Sequence, residues 1–505
     1  MTQHRLPISQ TLKSALLLGA SLLAAPALQA ETGTQTEALY QQHCASCHGT
    51  DRLGGIGPAL LPENLSRLRQ AEAESVIAAG RPATQMPAFG DTLSQESVTA
   101  LANFIYQPPE VTPVWGEQEI LSSHLLPHPK GSLPDEPVFE ADMMNLFLVV
   151  EIGDHHVTVL DGDTMEPIHR FASRYALHGG PKYSPDGRYV YFGSRDGWIT
   201  KYDLYNLKVV AEVRAGINMR NIAVSADGNY VMAANYLPHT LVLFDATNLG
   251  LMDVIPVENG TGESSRVSAV YAAPPRDSFI AALKDIPEAW EVSVTDATVN
   301  VRRMQIDTLL DDFFFDPGYE HVIGAARDGK RGYVINLDTG NTIAKLPLPG
   351  MPHLGSGITW EYKGRRVMAT PHFRTGAVSI IDMDNWEVIK TLETQGPGFF
   401  MRSHENSPYA WVDVFFGPNK DKVHVIDKQS LEIVKTLQPA PGKVAAHVEF
   451  DRDGEKLLLS VWDKDGAVIV YDADTLEEEK RISMNKPSGK YNVWNKINYE
   501  EGTSH

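Results

Sequence analysis

The chain has 505 residues, of which 43% are hydrophobic and 21% are charged, a composition typical of a folded globular protein rather than a disordered one. Its 64 acidic and 44 basic residues give a formal net charge of −20, which argues against nucleic acid as a partner. An acidic surface suits a basic electron-transfer partner, although acidity also serves solubility.

The N-terminus has the pattern of a secretory signal peptide. Arg5 and Lys13 precede an apolar run over residues 15–27, and Ala30 supplies a small residue at the cleavage site. The competing interpretation is a retained membrane anchor, for which the apolar run is short. We therefore predict a signal peptide over residues 1–30 and no membrane span in the mature chain.

The next segment contains both cysteines of the chain, in "QQHCASCHGT". The spacing Cys44-x-x-Cys47-His48 is typical of c-type haem attachment, in which two thiols bind one porphyrin and the histidine ligates its iron. A redox or disulfide pair is the alternative. Because this haem is attached on the outer side of the bacterial inner membrane, the motif and the signal peptide together predict a periplasmic protein.

Met86 follows in a proline-flanked loop and is the candidate sixth iron ligand, with core packing as its alternative role. A helical apolar pattern over 93–106 closes the segment. It resembles class I cytochrome c, and we place this all-α domain at residues 31–108. The Pro-rich linker at residues 109–140 is expected to wrap the surface of the following domain.

From residue 141 to 505 the sequence repeats a strand that ends in aspartate, a turn and a second strand, as in "VTVLDGDTMEPIHRF". The aspartates recur at intervals of 42 to 51 residues, at Asp161, Asp203, Asp245, Asp296, Asp338, Asp382, Asp427 and Asp472. This period is typical of the four-stranded blades of a β-propeller. We predict an all-β propeller of eight blades. Seven blades is the alternative, because the copy around Asp296 is weak.

Propellers bind ligands in the central channel, at loops and strand ends of several blades. Of the 17 histidines, three stand just before a blade's second motif: His178 in "RYALHGGPKYSPDG", His353 in "PLPGMPHLGSGITW" and His447 in "GKVAAHVEFDRDG". We predict that these three face the channel, with a structural role as the alternative for each. The two glycines after His178 would permit close approach of a large flat ligand.

A class I cytochrome c followed by an eight-bladed propeller resembles the cytochrome cd1 nitrite reductase family, whose channel holds haem d1. The similar stretches include "YALHGGPKYSPDGRYVYFGSRDG", "VRAGINMRNIAVS" and, most specifically, "KPSGKYNVWN". The resemblance implies that His178 is the proximal ligand of haem d1. It also implies that Arg195 and Arg220 face the carboxylates of the macrocycle, which suits their forked guanidinium groups.

The chain departs from the nitrite reductases on the distal side of the channel. The resemblance implies that His353 corresponds to one of their two distal histidines, whereas Phe315 in "DDFFFDPGYEHV" holds the position of the other. A phenyl ring cannot donate a proton. This chain instead has His447, where the reductases are not expected to carry a histidine. It therefore resembles a sister branch of the family that dehydrogenates dihydro-haem d1.

This resemblance implies an oxidoreductase that converts a propionate of dihydro-haem d1 to an acrylate in the last step of haem d1 biosynthesis, with electrons leaving through haem c. His353 and His447 are candidates for proton acceptor and for iron ligand, and the sequence does not decide between them. Tyr491 is a candidate for relaying a proton or anchoring a carboxylate, and Asn492 for binding the cofactor.

The partners implied are a periplasmic electron acceptor and a cytochrome cd1 nitrite reductase that receives haem d1. Two competing functions remain open from the sequence. One is nitrite reduction itself, and the other is non-catalytic carriage of haem d1.

Overall fold

In the computed structural model the chain divides, by its internal contacts, into two units between Val111 and Thr112. Residues 1–23 of the predicted signal peptide lie outside the described residues. Among the described residues, no helix is both long and apolar enough to cross a membrane. The structure describes residues 24–498 except Ile56, Arg67, 82–85 and Pro349.

The first unit is helical, and its core lies beside the Cys-x-x-Cys-His motif. The helix predicted over 93–106 is present, capped by Ser94, whose Oγ accepts the backbone N–H of Ser97 at 3.2 Å. Its buried face packs on Tyr40 of the first helix. The described helices are α1 (Ala24–His43), α2 (Ala45–His48), α3 (Pro62–Leu65), α4 (Gln70–Ala79) and α5 (Gln95–Ile105).

The second unit contains eight sheets of four antiparallel strands, arranged as the blades of a β-propeller. The helix α6 (Glu117–Ser123) precedes the strands and α7 (Val493–Ile497) follows them, and short 3-10 segments occur at Met143–Asn145, Pro274–Arg276 and Leu354–Ser356. The strands of blades 1 to 4 are β1 (Leu146–Glu151), β2 (His156–Asp161), β3 (Pro167–Ala172), β4 (Lys182–Tyr183), β5 (Tyr189–Gly193), β6 (Trp198–Asp203), β7 (Lys208–Arg214), β8 (Asn218–Val224), β9 (Tyr230–Leu237), β10 (Thr240–Asp245), β11 (Gly250–Pro256), β12 (Val267–Ala273), β13 (Ser278–Leu283), β14 (Glu288–Thr295) and β15 (Thr298–Gln305). Those of blades 5 to 8 are β16 (Leu310–Phe315), β17 (His321–Ala326), β18 (Gly332–Asn336), β19 (Thr342–Leu346), β20 (Ile358–Tyr362), β21 (Arg365–Pro371), β22 (Ala377–Asp382), β23 (Glu387–Glu393), β24 (Met401–Ser403), β25 (Tyr409–Asp413), β26 (Val423–Asp427), β27 (Glu432–Leu437), β28 (Ala445–Phe450), β29 (Lys456–Val461), β30 (Gly466–Asp472) and β31 (Glu478–Met484), and the last strand is β32 (Pro487–Asn492).

Blades 2 to 8 run outward in chain order. First strands such as β8 and β28 are almost wholly buried, whereas fourth strands such as β23 and β31 have exposed side chains at alternate positions. First strands therefore surround the central channel, and fourth strands form the outer rim. Blade 1 draws on both ends of the unit, because β32 pairs antiparallel with β1 and serves as its first strand.

The repeated aspartate ends the third strand of a blade and shapes the turn that follows. The Oδ1 atoms of Asp161 and Asp427 accept the backbone N–H two residues later, at 2.9 and 3.0 Å. In blade 5 this role belongs to Asn336 rather than to the predicted Asp338, because Oδ1 of Asn336 accepts the N–H of Asp338 at 3.1 Å. The repeat there is two residues out of the predicted register.

The weak copy around Asp296 is a complete blade. Strands β14 and β15 form a hairpin whose two turn residues, Asp296 and Ala297, have φ angles of 49° and 60°. Two-residue hairpins favour such left-handed turns. The prediction of eight blades is confirmed, and the seven-bladed alternative is wrong.

The part of the predicted linker that belongs to the second unit lies on blades 2 and 3. Helix α6 buries Ile120 in the apolar core that these two blades share. The backbones of Leu125 and Glu212 exchange two hydrogen bonds of 2.8 and 2.9 Å. Trp115 donates its indole N–H to the carbonyl of Arg214 at 3.0 Å, and the guanidinium of Arg214 covers its ring. This segment is therefore part of the packed surface of the propeller.

Candidate functional site

The Cys-x-x-Cys-His motif spans the start of α2. The N–H of Cys47 donates to the carbonyl of Cys44 at 3.1 Å, so the two free thiols belong to one helical turn. The Nδ1 of the buried His48 lies 2.8 Å from the carbonyl oxygen of Pro58, which orients the ring and leaves Nε2 for a metal. Burial lowers the pKa of His48, which keeps the imidazole neutral, as a ligand must be.

The surroundings of the motif also fit a covalent haem c. A Cβ atom at Gly57 would lie 2.7 Å from Cε1 of His48, so only glycine lets the loop pass this close to the ring. Met86 packs in the same apolar cluster as Cys44 and Phe89. The first unit thus offers two thiols, an oriented imidazole and a thioether in an apolar setting, which is the donor set of such a haem.

In the second unit, the first strands of four blades each carry one extra residue that has no partner on the second strand. These bulged residues are Arg220 in β8, Ser268 in β12, Asp311 in β16 and His447 in β28. A bulge breaks the alternation of a strand and re-aims the extra side chain. Each bulge thereby takes one polar side chain out of the alternation of its first strand.

His178 lies in the segment before β4 and contacts both predicted arginines. Its Nδ1 is 2.9 Å from the carbonyl oxygen of Arg220, and its Nε2 is 3.1 Å from Nη2 of Arg195. The guanidinium of Arg220 donates to the carbonyl of Ser268 at 2.8 Å and lies 3.6 Å from the carboxylate of Asp312. Burial alone would lower the pKa of Arg220, but Asp312 raises it overall, so the group stays charged.

The glycines after His178 serve the turn and its packing. Gly179 and Gly180 have φ angles of 83° and 70°, a conformation that glycine adopts readily. A Cβ atom at Gly179 would lie 2.9 Å from Cβ of Asn221, and one at Gly180 would lie 3.1 Å from the ring of Tyr491. Close packing on the channel wall therefore explains these glycines, whereas the sequence suggested the approach of a ligand.

The other two predicted histidines come together around one phenylalanine. His353 lies just before the 3-10 segment that leads into β20, and its Nδ1 donates to the carbonyl of Phe399. Its ring centroid is 4.4 Å from that of Phe399 and 6.3 Å from that of Phe400. The ring of His447 lies 4.7 Å from Phe400 and 5.1 Å from Tyr491. Unlike His178 and His353, His447 lies inside a first strand rather than before one.

The electrostatics of this group favour neutral side chains. Burial lowers the pKa of His353, and burial with the nearby Lys490 and Arg402 holds the pKa of His447 well below its usual range. Both imidazoles therefore carry a lone pair near neutral pH. Burial raises the pKa of Tyr491 to about 12, so its phenol keeps its proton and remains a hydrogen-bond donor.

Three basic side chains of the second unit were missed from the sequence. The guanidinium of Arg402 lies 3.2 Å from the carboxylate of Glu449, and Nζ of Lys496 lies 5.5 Å from the Tyr491 ring centroid. Burial, followed by the charge of Arg402, lowers the pKa of Lys182 to about 8. A signal for Arg402 was present, because Met-Arg occurs in the first strand of blade 7 as it does at Arg220 in blade 3.

Two residues singled out from the sequence have other roles in the structure. Asn492 donates to Oδ1 of Asn145 at 3.1 Å and caps α7 by accepting the N–H of Asn495 at 3.3 Å, so both ends of its amide serve the fold. Phe315 is buried in the core shared by blades 4 and 5. This core packing does not match the distal position that the resemblance implied for Phe315. Alternate residues of β16 face opposite sides, and Asp312 is the one that reaches Arg220.

Comparisons with known proteins agree with this architecture. Residues 141–496 match the family described as Cytochrome D1 heme domain, and residues 31–105 match the family described as Cytochrome C oxidase, cbb3-type, subunit III. The chain is 60% identical over 470 residues to a Pseudomonas aeruginosa protein named dihydro-heme d1 dehydrogenase, covering 93% of this chain and 95% of that relative.

Two further similarities bear on the site. A nitrite reductase of Stutzerimonas stutzeri is 25% identical and aligns with 97% of this chain and 99% of its own length. The solved structure "Dihydro-heme d1 dehydrogenase NirN in complex with DHE" superposes with a TM-score of 0.90 at 59% identity, covering 92% of this chain and 100% of that one.

Proposed function

The chain belongs to the Cytochrome D1 heme domain family, and from this membership we propose that it is an oxidoreductase that dehydrogenates dihydro-haem d1. The reaction removes one hydrogen from each of two adjacent carbons of a propionate side chain. Two protons and two electrons leave, and the propionate becomes the acrylate of haem d1. The 60% identity with a dihydro-heme d1 dehydrogenase over 93% of this chain carries the proposal.

The cationic side chains of the channel suit a substrate with several carboxylates. Arg195 and Arg220 lie against His178, and Arg402 lies close enough to Tyr491 to affect its pKa. Nζ of Lys182 lies 5.6 Å from the centroid of the Tyr271 ring. Guanidinium groups bind carboxylates through paired charge-assisted hydrogen bonds. We assign these four residues to substrate binding. We assign His178 to the iron of the substrate, because its Nδ1 is bonded to a carbonyl oxygen and its Nε2 would exchange the contact with Arg195 for the metal when the substrate binds.

On the other side of the channel, His353 is the better proton acceptor of the two histidines. Its Nδ1 donates to the carbonyl of Phe399, so the lone pair of the neutral ring is on Nε2. The surrounding phenylalanines exclude water, and burial lowers the pKa of the ring, so it is unprotonated before the reaction. His447 and the phenol of Tyr491 then remain for iron ligation and for hydrogen bonding to a substrate carboxylate.

The first unit provides the residues for an electron outlet. Cys44 and Cys47 would hold haem c covalently, with His48 and Met86 as the ligands of its iron. When bound, this haem accepts electrons one at a time. The predicted signal peptide and the outer-side assembly of such haems support a periplasmic location, where an electron acceptor and a cytochrome cd1 nitrite reductase are the proposed partners.

Anaerobic stopped-flow mixing of the oxidised holoprotein with dihydro-haem d1 tests the proposed dehydrogenase function. The absorbance of haem c should change to that of the reduced form in step with formation of extractable haem d1, with two haem c groups reduced per acrylate. A Cys44→Ser/Cys47→Ser chain is the matched control and should bind the substrate without this spectral change. Binding without conversion in the wild type would favour a carrier, and oxidation of the reduced protein by nitrite would favour nitrite reduction.

A further inference from the structure

We propose that Asp413 and Lys490 are positioning residues that together hold His447 in its bulge, and that Asp413 also holds the segment that orients His353. The proposal deepens the proposed function and rests on it for one point, that the two histidines face the substrate. Asp413 ends β25 in blade 7 and Lys490 lies in β32 of blade 1, so the two residues reach His447 from its two neighbouring blades.

The backbone of His447 needs support from outside its own strand. As the extra residue of a bulge it has no partner in the ladder, and its φ of 54° is unusual for a residue with a side chain. Its N–H donates to Oδ2 of Asp413 at 3.3 Å, and its carbonyl accepts a hydrogen bond from Nζ of Lys490. Two side chains therefore satisfy both backbone groups that the bulge leaves unpaired.

The second oxygen of the same carboxylate supports the other histidine. Oδ1 of Asp413 accepts the N–H groups of Phe399 and Phe400, at 2.7 and 3.1 Å. The carbonyl of Phe399 in turn accepts the hydrogen bond from Nδ1 of His353. One carboxylate thus fixes the peptide that orients His353 and the peptide that carries His447. The Phe400 ring, held by the same contact, packs against both imidazoles.

Complete burial makes this arrangement specific. Asp413 and Lys490 are both fully excluded from solvent, and Lys490 also donates to Oγ of Ser460 at 2.8 Å. A buried polar group is tolerated only where its hydrogen-bonding capacity is used. The two side chains therefore fix the geometry of their partners instead of adapting to it.

Substitutions can separate the two arms of the carboxylate. In Asp413→Asn the amide oxygen can still accept from Phe399 and Phe400, but the amide nitrogen then faces the N–H of His447, donor against donor. This change releases His447 alone. Asp413→Ala releases both arms, and Lys490→Met releases His447 from its carbonyl side.

The test titrates haem d1 extracted from a nitrite reductase into full-length holoprotein. Affinity and the absorption spectrum of the bound haem are recorded in the wild-type, His447→Ala and His353→Ala backgrounds. Asp413→Asn and Lys490→Met should each lower affinity about 10- to 100-fold in the wild-type background and shift the spectrum, the usual effect of losing a group that orients a ligand. In the His447→Ala background, each of these two substitutions should change the affinity less than about 2-fold.

Asp413→Ala should lower affinity no further than Asp413→Asn does, but it should lower conversion of dihydro-haem d1 further, because it also releases the segment that orients His353. This additional loss of conversion should disappear in the His353→Ala background. Asp382→Asn is the control, because Asp382 is equally buried and accepts backbone N–H groups from Asp384 and Asn385 at 2.8 and 3.4 Å. It should leave affinity and spectrum unchanged. Thermal unfolding identifies any variant that fails to fold, in which case the Lys490→Met variant decides.

An equal loss of affinity with and without His447 would overturn the proposal, because the residues would then act on the fold in general. A wild-type spectrum in both Asp413→Asn and Lys490→Met would overturn it as well. Failure of the proposed function looks different, since the wild type would bind haem d1 but would not dehydrogenate its precursor.

Discussion

His353 and His447 are held differently, and this difference predicts different effects of their removal. His353→Ala should lower conversion of dihydro-haem d1 by about 10²- to 10⁴-fold, the usual contribution of a general base, and should leave binding of the substrate intact. His447→Ala should lower conversion by as much and also change the spectrum of the bound substrate, as expected for an iron ligand. Product is measured by the spectrum of the extracted haem. Wild-type turnover in His447→Ala would leave that residue with a structural role.

Arg195 and Arg220 should act on binding rather than on chemistry. Replacing either by alanine removes a charge-assisted contact to a carboxylate and should weaken binding of haem d1 by about 1.5–3 kcal/mol. The maximal rate at saturating substrate should change little. Equilibrium titration against Arg481→Ala, a rim arginine paired with Glu478, checks this expectation. Normal affinity for haem d1 in both variants would show that neither arginine takes part in binding.

Asp451 should make the free energy of unfolding fall as the pH rises. Burial raises its pKa from 3.8 to about 6 in the folded state, so the folded protein binds more protons than the unfolded one between these values. Stability is therefore lost from about pH 4 to pH 6, by about 2–3 kcal/mol. Asp451→Asn keeps an oxygen for the N–H groups of Glu455 and Lys456 and should remove this loss.

Denaturant titrations of wild type and variant at several pH values measure this difference. Asp472→Asn is the opposite control, because hydrogen bonds from the turn of blade 8 lower the pKa of Asp472. Asp472 contributes stability above its unfolded pKa and loses it as the pH falls, so its variant should differ most from wild type near neutral pH. Parallel curves for Asp451→Asn and wild type would contradict the predicted titration.

Within single blades, position in a strand decides what a residue does. Phe315 packs against Phe313 and Tyr319, at 5.4 and 4.7 Å between ring centroids. Phe315→His would place an imidazole in this core and should lower the free energy of unfolding by about 1–3 kcal/mol. It should not create nitrite reductase activity. Thermal unfolding and a nitrite assay check the two statements, and an unchanged melting temperature would contradict the core assignment.

The sequence predicted the blades because their turns are local. An aspartate that accepts the next backbone N–H groups marks six of the eight copies, whereas blade 5 has Asn336 in this role and blade 4 has the two-residue turn at Asp296. It could not predict the bulges, because one extra residue in a strand leaves no local signal. For this reason the sequence missed Asp312, which follows the bulge in β16, and did not show that Phe315 packs in the core between blades 4 and 5.

At the scale of the whole propeller, β32 closes the ring and also supplies Tyr491 and Lys490 to the channel. A chain that ends at Met484 leaves β1 without its inner neighbour. We expect it to lose most of the ~5–15 kcal/mol that stabilises a domain of this kind, and with it the binding of haem d1. A chain that ends at Asn498 keeps β32 and α7 and is the control. Binding by the shorter chain would show that closure is not required.

The two haem-binding regions differ in how far apart their residues lie along the chain. The haem c motif spans residues 44–48. The residues assigned to the substrate, in contrast, extend from His178 to Tyr491, and Tyr491 lies in the last strand, β32. A chain that emerges from its N-terminus displays the first site early and completes the second only at the end of its synthesis. Covalent attachment of haem c does not require the end of synthesis. The tetrapyrrole substrate, in contrast, needs the last strand and is expected to enter only a finished chain. We therefore expect a prematurely terminated chain not to hold the substrate, so that closure of the ring acts as a check on completeness.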